Sequence, residues 1–272
     1  MWRGVPSGAP DDLASEVEVA RSPGKGSVMS VTRALVRGVP ETFAECELTW
    51  IEREAPDVGL ARSQHEAYVA AIEASGVEIV SVLPDPAHPD CTFVEDVVVE
   101  LGHLRVVTHP GAVSRRGERA VIAAALGDHV AMPEHLHLDG GDVIRLGDRV
   151  WVGQSTRTKP EAIDWLREVS GLDVRGVRLN KVLHLKTAAT FLDDRTLLCW
   201  QGSIDEALFE GFEIVHCDGP NVVRLPDRVL TRSGTKTAAI ARARGHKAVE
   251  LDISQFTLAE ASLTCMSVLL ED

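Results

Sequence analysis

The feature that most constrains the fold is a strand–turn–strand pattern that recurs along the chain. Residues 142–150 read DVIRLGDRV, and residues 221–229 read NVVRLPDRV. Residues 97–107 (VVVELGHLRVV) and 188–196 (AATFLDDRT) share the hydrophobic alternation and have a turn that contains Gly or Asp. Alternating apolar residues on both sides of a tight turn predict a β-hairpin in each of the four segments.

The hairpins recur at an interval typical of repeat proteins. Leu101 precedes its counterpart Leu146 by 45 residues, and Asp148 precedes Asp194 by 46. The next step, to Asp227, is only 33 residues, so that unit is shortened. Helix-like patterns follow three of the hairpins, in SRRGERAVIAAAL, KPEAIDWLREVSG and KTAAIARARG. Several strands and one helix per unit favour a propeller whose blades carry helices outside, and an ordinary α/β sandwich with similar hairpins is the alternative.

The first 28 residues differ in composition from the rest of the chain. They are rich in Gly, Pro, Ser and charged residues, and alternating apolar residues begin only after Met29. Such composition predicts a poorly ordered extension over residues 1–28. We therefore expect one domain over residues 29–272, with Met29 as an alternative natural start.

Composition excludes several classes of partner. The 272 residues include 28 Lys and Arg and 41 Asp and Glu, which gives a formal net charge of −13. This balance argues against nucleic acid or an anionic membrane as partner and suits a cationic ligand. The five cysteines have no C-x-x-C pairing, and residues 1–28 lack the apolar core of a secretory signal. These features favour a cytoplasmic protein without disulfides or a zinc knuckle.

Five places carry polar residues where strands or loops would otherwise be apolar. They are PDCTFVED (89–96), HLDGGD (137–142), VLHLKT (182–187), LTCMSVLL (263–270), and the pair SRRGE (114–118) and STRT (155–158). In PDCTFVED, strand alternation would put Phe93 and Glu95 on one face and Asp96 on the other. Taken singly, each place also has a purely structural explanation, such as a core histidine for His184 or a buried structural thiol for Cys265.

Their joint position strengthens the functional interpretation. Asp96, Asp139, His184 and Cys265 belong to different repeats, close to where equivalent hairpins begin or end. Such positions converge at the centre of a ring of repeats, and a thiol, an imidazole and carboxylates there suit nucleophilic catalysis. The sequence has no glycine-rich phosphate-binding motif that would favour a nucleotide-binding function. The histidines of HLHL (135–138) lack a third ligand at the spacing of a metal site, so we expect no metal.

These segments, taken in order, resemble the dimethylarginine dimethylaminohydrolase family, which belongs to a superfamily with arginine deiminase and amidinotransferases. The likeness runs from about Thr32 to Leu270, and FVED, LHLK and L-T-C together are far more specific than any one of them. It implies a five-bladed pseudosymmetric α/β propeller of ββαβ units. It also implies hydrolysis of Nω-methylated arginine to citrulline and a methylamine, without metal or organic cofactor, in a protein that could form a homodimer.

The resemblance assigns roles residue by residue. It makes Cys265 the nucleophile and His184 the general acid–base, with Asp139 beside that histidine. Asp96 and Asp139 would hold the guanidinium, and Glu95 and Phe93 would support the pocket. At the amino-acid end of the substrate the implied residues are Asp90 and the backbone of Leu48 for the α-amine, and Arg115 and Arg157 for the α-carboxylate.

Two departures from the family pattern stand out. Glu260-Ala261-Ser262 replaces the usual Asp-Gly-Gly before the nucleophile, which bears on the backbone beside the substrate's methyl groups. His109 replaces the usual Arg of an R-P-G-A turn.

Two alternatives to a methylarginine hydrolase remain. One is an arginine deiminase or related enzyme with the same chemistry, which is disfavoured because FVED stands in place of the deiminases' T-R-D segment. The other is a catalytically silent ligand-binding propeller.

Overall fold

A computed structural model of the chain describes residues 31–49, 52 and 54–271. The expected extension over residues 1–28 and the alternative start at Met29 lie outside these described residues. Within them, no helix is both long and apolar enough to cross a lipid bilayer.

The described residues form five three-stranded sheets, and each contains an antiparallel pair followed by a parallel strand. The fifteen strands of this described part are β1 Val31–Arg37, β2 Glu78–Val82, β3 Val98–Glu100, β4 Arg105–Val107, β5 Val130–Ala131, β6 Val143–Leu146, β7 Arg149–Gln154, β8 Asp173–Arg178, β9 Ala189–Phe191, β10 Thr196–Cys199, β11 Glu213–His216, β12 Val223–Arg224, β13 Val229–Arg232, β14 Ala248–Leu251 and β15 Ser267–Glu271. The α-helices are α1 Val58–Glu73, α2 Arg119–Leu126, α3 Pro160–Ser170, α4 Leu185–Ala188, α5 Thr237–Ala243 and α6 Ser254–Thr257.

Each sheet is one blade of a ββαβ repeat. In the third blade, for example, β6 and β7 form the antiparallel hairpin, α3 crosses over, and β8 returns parallel to β7. The four hairpins expected from the repeated segments are β3–β4, β6–β7, β9–β10 and β12–β13. The propeller is therefore confirmed, and the sandwich alternative is wrong.

The local sequence explains where the crossover helices begin and end. Helix α3 starts with Pro160 at its first turn and ends at Gly171, which has a left-handed φ of 68°. Proline at the start and glycine just past the end are favourable at these two positions because of their backbone constraints. The shortened unit has a different crossover, since β10 reaches β11 through a 3₁₀ helix, Glu206–Phe209, where the third blade has α3.

The two ends of the described chain close the ring. Strand β15 pairs antiparallel with β1, and β1 pairs parallel with β2, so the first blade combines the last strand with the first two. Its residues Ala34, Leu35 and Leu270 are fully buried. Pairing first and last segments in one sheet removes two free sheet edges, and it ties the nucleophile segment to the beginning of the fold.

Candidate active site

The predicted chemical residues lie in the turns that lead into the first strand of each blade. Asp96 precedes β3, Asp139 precedes β6, His184 precedes β9 and Cys265 precedes β15. The turn before β3 contacts the turns before β6 and β15, and α4 contacts the turn before β6. Pseudosymmetry therefore brings turns that are far apart in sequence, and the four residues that they carry, into one region.

The local structure of these turns differs from the strand interpretation. Val94–Val97 and Leu263–Met266 are 3₁₀ helices, and His184 is the N-cap residue of α4. The alternating faces expected for PDCTFVED are thus wrong, and neither His184 nor Cys265 lies in a strand. The strand of the last segment begins only at Ser267. In such tight turns, unlike in a strand, the side chains and backbone groups of neighbouring residues can face the same active site.

His184 is held between two buried aspartates. Its Nε2 lies 3.0 Å from Asp139 Oδ2, and its Nδ1 lies 3.8 Å from Asp96 Oδ1. A Cβ on Gly141 would come within 2.7 Å of His184 Nδ1, so only glycine leaves room for the ring there. Burial opposes the charged ring, but the carboxylates overcome it and raise the pKa of His184 to about 10. At neutral pH the residue therefore carries a proton that it can donate.

Asp96 offers an unused acceptor inside the site. Its Oδ2 accepts a hydrogen bond from Arg115 Nη1 at 2.8 Å. Its Oδ1 is buried and accepts no hydrogen bond from any residue of the described chain. Burial opposes ionisation of Asp96, yet His184 and Arg115 lower its pKa below the usual value. A buried, charged oxygen without a donor is unfavourable unless a ligand supplies one.

Arg115 is enclosed by the protein's own acceptors. It donates to both oxygens of Glu118, to Asp96 and to the carbonyl oxygen of Phe93. Four of its five N–H groups are thereby occupied, and the residue is only 5% exposed. Arg115 therefore lies beside the site as the counter-ion of Glu118 and Asp96, and no described residue accepts from its fifth N–H, which is left for the α-carboxylate role that the resemblance implies.

Cys265 is half-buried, and its sulfur is close to negative charge. Burial, followed by the charges of Glu95 and Asp96, raises the pKa of the thiol well above its usual value. The backbone N–H of Ser262 donates to the sulfur at 3.4 Å. In the free protein the thiol is therefore neutral, and a cation bound beside it would favour the thiolate.

Lys186 is a site residue that the sequence reasoning missed, although it is part of the quoted LHLK motif. Its Nζ lies 2.7 Å from Glu95 Oε1, and Thr264 Oγ1 donates to Glu95 Oε2 at 2.8 Å. Asn221, also missed, donates from its side-chain amide to the carbonyl oxygen of Lys186 and to Thr264. This network fixes Glu95 and joins the turns that carry His184 and Cys265.

Asp142 holds the backbone of the segment that carries His184. Its Oδ1 accepts from the backbone N–H of Leu185 at 3.0 Å, directly after His184, and its Oδ2 accepts from Ser155 and Thr158. Burial raises the pKa of Asp142 to about 6 despite the opposing effect of His184. The motif LDGGDV thus supplies two acids: Asp139 contacts the His184 ring, and Asp142 accepts from the backbone that follows His184.

The segment from Cys46 to Thr49, which we call the lid, contacts the residues predicted to bind the amino-acid end of the substrate. The backbone N–H of Glu47 lies 3.2 Å from both oxygens of Asp90, and Arg157 donates to Glu47 Oε1 and to Thr49 Oγ1 at 3.1 Å. Burial raises the pKa of Asp90 to about 6. The predicted residues Asp90, Arg157 and Leu48 are therefore in one region.

Phe93 packs beneath the lid as a core residue. It is 4% exposed and makes an edge-to-face contact with Phe43, with ring centroids 5.9 Å apart. Phe256 joins the same aromatic cluster. Phe93 thus belongs to the core, and its carbonyl oxygen accepts a hydrogen bond from Arg115.

Three of these residues could also approach a metal ion. Within the described chain, Asp96, Asp139 and His184 offer ligand atoms that all lie within 4.8 Å of one another. The raised pKa of His184 means that a metal would have to displace a proton, which weakens binding. A planar organic cation that donates hydrogen bonds fits this acceptor set better.

The two departures from the family pattern have local explanations. Among the described residues only Lys181 and Glu260 are non-glycine residues with positive φ, so Ala261 and Ser262 adopt ordinary backbone and the loss of two glycines costs no strain. Glu260, with φ of 56°, accepts a hydrogen bond from the backbone of Thr49 in the lid at 2.8 Å. His109 is buried, lies 2.9 Å from the carbonyl oxygen of Leu136 and packs on His137.

The chain is similar to curated proteins over nearly its full length. It is 39% identical to N(G),N(G)-dimethylarginine dimethylaminohydrolase of Streptomyces coelicolor over 255 residues, which cover 90% of this chain and 99% of the relative. It is 32% identical to the Pseudomonas aeruginosa protein of the same name over 227 residues, 78% of this chain and 89% of the relative. No family model matches the chain.

Solved structures agree with the fold. A Cys-to-Ser variant of the Pseudomonas aeruginosa enzyme in complex with citrulline superposes with a TM-score of 0.82 at 28% identity, covering 88% of this chain and 98% of that one. The N-terminal domain of a cyanobacterial arginine dihydrolase has the same fold, with a TM-score of 0.80 at 18% identity. The chain is 39% identical to a curated relative over 99% of that relative's length, and it shares the propeller fold of the solved structures. The chain therefore belongs to the dimethylarginine dimethylaminohydrolase family.

Proposed function

We propose that this protein hydrolyses Nω-methylated arginine to citrulline and a methylamine, with Cys265 as nucleophile. The observation that carries the proposal is the buried Oδ1 of Asp96, which has no donor within the described residues. It faces His184 across 3.8 Å in the region where the turns of the different blades meet. A guanidinium N–H supplies the missing hydrogen bond and the positive charge together.

Substrate binding would prepare the nucleophile. The pKa of Cys265 is raised by burial and by Glu95 and Asp96, so the free thiol is protected from reaction. A guanidinium on Asp96 adds positive charge beside the sulfur and favours the thiolate. The nucleophile is therefore expected to form chiefly in the substrate complex.

The chemical steps follow from the proton held on His184. The thiolate attacks the guanidinium carbon and forms a C–S bond in a tetrahedral adduct. His184, whose pKa is raised to about 10, gives its proton to the dimethylamine nitrogen as the C–N bond breaks. A planar thiouronium remains on Cys265. The neutral ring then takes a proton from water, which attacks the same carbon, and the C–S bond breaks to release citrulline.

The amino-acid end of the substrate would be recognised by Asp90 and Arg157. Asp90 suits an α-ammonium group because it is a buried carboxylate, and the backbone N–H of Glu47 is the only donor to its oxygens among the described residues. Arg157 suits the α-carboxylate because its Nη2 already accommodates a carboxylate oxygen at 3.1 Å. Asp139 lies 3.9 Å from Arg157 Nη1 and helps to keep that guanidinium in place.

Citrulline release from asymmetric dimethylarginine, monomethylarginine and arginine, measured side by side, tests the proposal. We expect turnover of the methylated substrates to exceed that of arginine, since the family is named for this reaction. Preference for unmethylated arginine would make the protein a deiminase-like enzyme. Release of citrulline from none of the three would leave a ligand-binding propeller.

A further inference from the structure

The lid residue Glu47 occupies both groups that are assigned to the amino-acid end of the substrate. Its backbone N–H lies 3.2 Å from each oxygen of Asp90, as an α-ammonium group would. Its side-chain Oε1 accepts from Arg157 Nη2 at 3.1 Å, and its Oε2 accepts from Ser114 Oγ at 2.7 Å. One residue therefore presents a donor and a carboxylate in the places where an α-amino acid would present its own.

Both oxygens of the Glu47 carboxylate accept hydrogen bonds, although the side chain is 43% exposed. One oxygen faces the Arg157 guanidinium in a charge-assisted pair, and the other faces the Ser114 hydroxyl group. The two partners come from different blades, since Ser114 lies in the 3₁₀ helix Val113–Glu118 and Arg157 follows β7. Arg157 is only 13% exposed, so a second carboxylate would compete with Glu47 for a small accessible part of the guanidinium.

We propose that Glu47 is an internal competitor for the substrate's α-carboxylate, and that it sets the affinity for α-amino-acid substrates. The inference rests on the proposed function, because it uses Arg157 as the substrate's carboxylate partner. Substrate binding then exchanges one ion pair for another on Arg157, and the lid segment carrying Glu47 has to shift. A guanidino compound that has no α-carboxylate does not need this exchange.

Kinetics of the Glu47→Ala variant test the proposal. We expect its KM for dimethylarginine to fall by about two- to fivefold, the range typical of one partly exposed ion pair, with kcat changed less. Glu47→Gln is expected to give a smaller fall, since its amide oxygen still accepts from Arg157 without the charge. With the decarboxylated analogue, dimethylagmatine, KM should be the same for Glu47→Ala and the parent.

Two controls separate competition from general effects on the lid. Glu45→Ala removes an exposed acid two residues away in chain order and should leave both KM values unchanged. In an Arg157→Ala background, Glu47→Ala should no longer alter KM, because the shared partner is gone. Unfolding curves of all variants would establish that each protein is folded.

Several outcomes would overturn the inference. A KM for dimethylarginine that is unchanged or raised in Glu47→Ala means that Glu47 does not compete, or that it holds the lid over the substrate. An equal fall for dimethylarginine and dimethylagmatine means that the lid opens without any mimicry of a carboxylate. Because these results are obtained with a parent that turns over dimethylarginine, they leave the proposed function intact, whereas an inactive parent contradicts that function directly.

Discussion

Cys265 is the residue on which the proposed chemistry depends, and its surroundings make a specific prediction. Cys265→Ser should abolish turnover while the fold is retained, because an alcohol has a far higher pKa than a thiol and cannot supply the anion. Since the pKa of the Cys265 thiol is raised in the free protein, an electrophilic amidine, which brings its own cation, should modify it faster than a neutral alkylating agent.

Mass spectrometry of labelled peptides checks the assignment. Substrate should protect Cys265 from the amidine. Cys91 serves as the internal control, because it is fully buried and burial raises its pKa too. Label on Cys91 with Cys265 untouched would show that the nucleophile is elsewhere.

Arg115 and Arg157 should behave differently, although the sequence pattern treats them alike. Arg115→Ala breaks a buried ion pair with Glu118 and Asp96, and it should lower the free energy of unfolding by about 3–5 kcal/mol. Arg157→Ala removes a partner at the lid and should mainly weaken binding of α-amino-acid substrates, by about 2–5 kcal/mol. Urea unfolding and KM, measured on both variants, separate the structural role of Arg115 from the binding role of Arg157. If both variants raise KM equally and neither lowers the free energy of unfolding, this difference in roles is contradicted.

The histidine makes stability depend on pH in a direction that can be worked out. The pKa of His184 rises from 6.5 in the unfolded chain to about 10 in the folded protein, so its proton stabilises the fold. That contribution is complete below pH 6.5 and is lost as pH rises towards 10. The difference in unfolding free energy between the parent and His184→Gln should therefore shrink over this interval. A difference that stays constant from pH 6 to 10 would show that folding does not raise the pKa of the ring.

At the scale of elements, the lid is anchored at its outer end by Glu260. This residue adopts a left-handed backbone, an unusual conformation for a glutamate, and its Oε2 accepts from the N–H of Thr49 at 2.8 Å. Glu260→Ala should leave the lid less ordered over the site and raise KM by about two- to tenfold, the worth of one hydrogen bond. Lys181→Ala, at the other positive-φ residue, is the matched control and should leave KM unchanged.

Amide hydrogen exchange gives an independent measurement of the same prediction. The N–H of Thr49 should exchange faster in Glu260→Ala than in the parent, because its acceptor is gone. If exchange at Thr49 and KM are both unchanged, Glu260 does not anchor the lid.

The elements also show which parts of the site could be read from the sequence. The hairpins were predictable because alternation and turn residues are local, as in DVIRLGDRV, which forms β6 and β7. The turn at His184 was not, because its backbone is set by a hydrogen bond from Leu185 to Asp142, 43 residues away. The contact between Glu47 and Arg157 spans 110 residues, and no local pattern signals it.

At the scale of the whole molecule, the repeats explain why separate motifs make one site. Each blade delivers one turn to a common region, so the order of motifs along the chain becomes an arrangement in space. Only the symmetry of the fold was needed to predict that Asp96, Asp139, His184 and Cys265 come together. The missed residues Lys186 and Asn221 lie in equivalent turns, before β9 and β12, and could have been found by searching every such turn for polar side chains.

Ring closure should make the domain unfold as one unit. Leu270 of β15 is fully buried and is paired with Arg33 of β1, so it lies at the closure of the ring. Leu270→Ala should lower the free energy of unfolding by about 2–5 kcal/mol. The neighbouring Leu269→Ala, at a half-buried position of the same strand, should lower the free energy of unfolding by less.

Two probes test whether unfolding is cooperative. Far-UV circular dichroism and tryptophan fluorescence, to which the buried Trp151 of the third blade contributes, should report the same urea midpoint for each protein. Two separate midpoints in Leu270→Ala would instead mean that the blades unfold independently, and that closure at β15 stabilises only the first blade. Because Cys265 lies two residues before β15, activity should then be lost at the earlier midpoint, and in the cooperative case at the single midpoint.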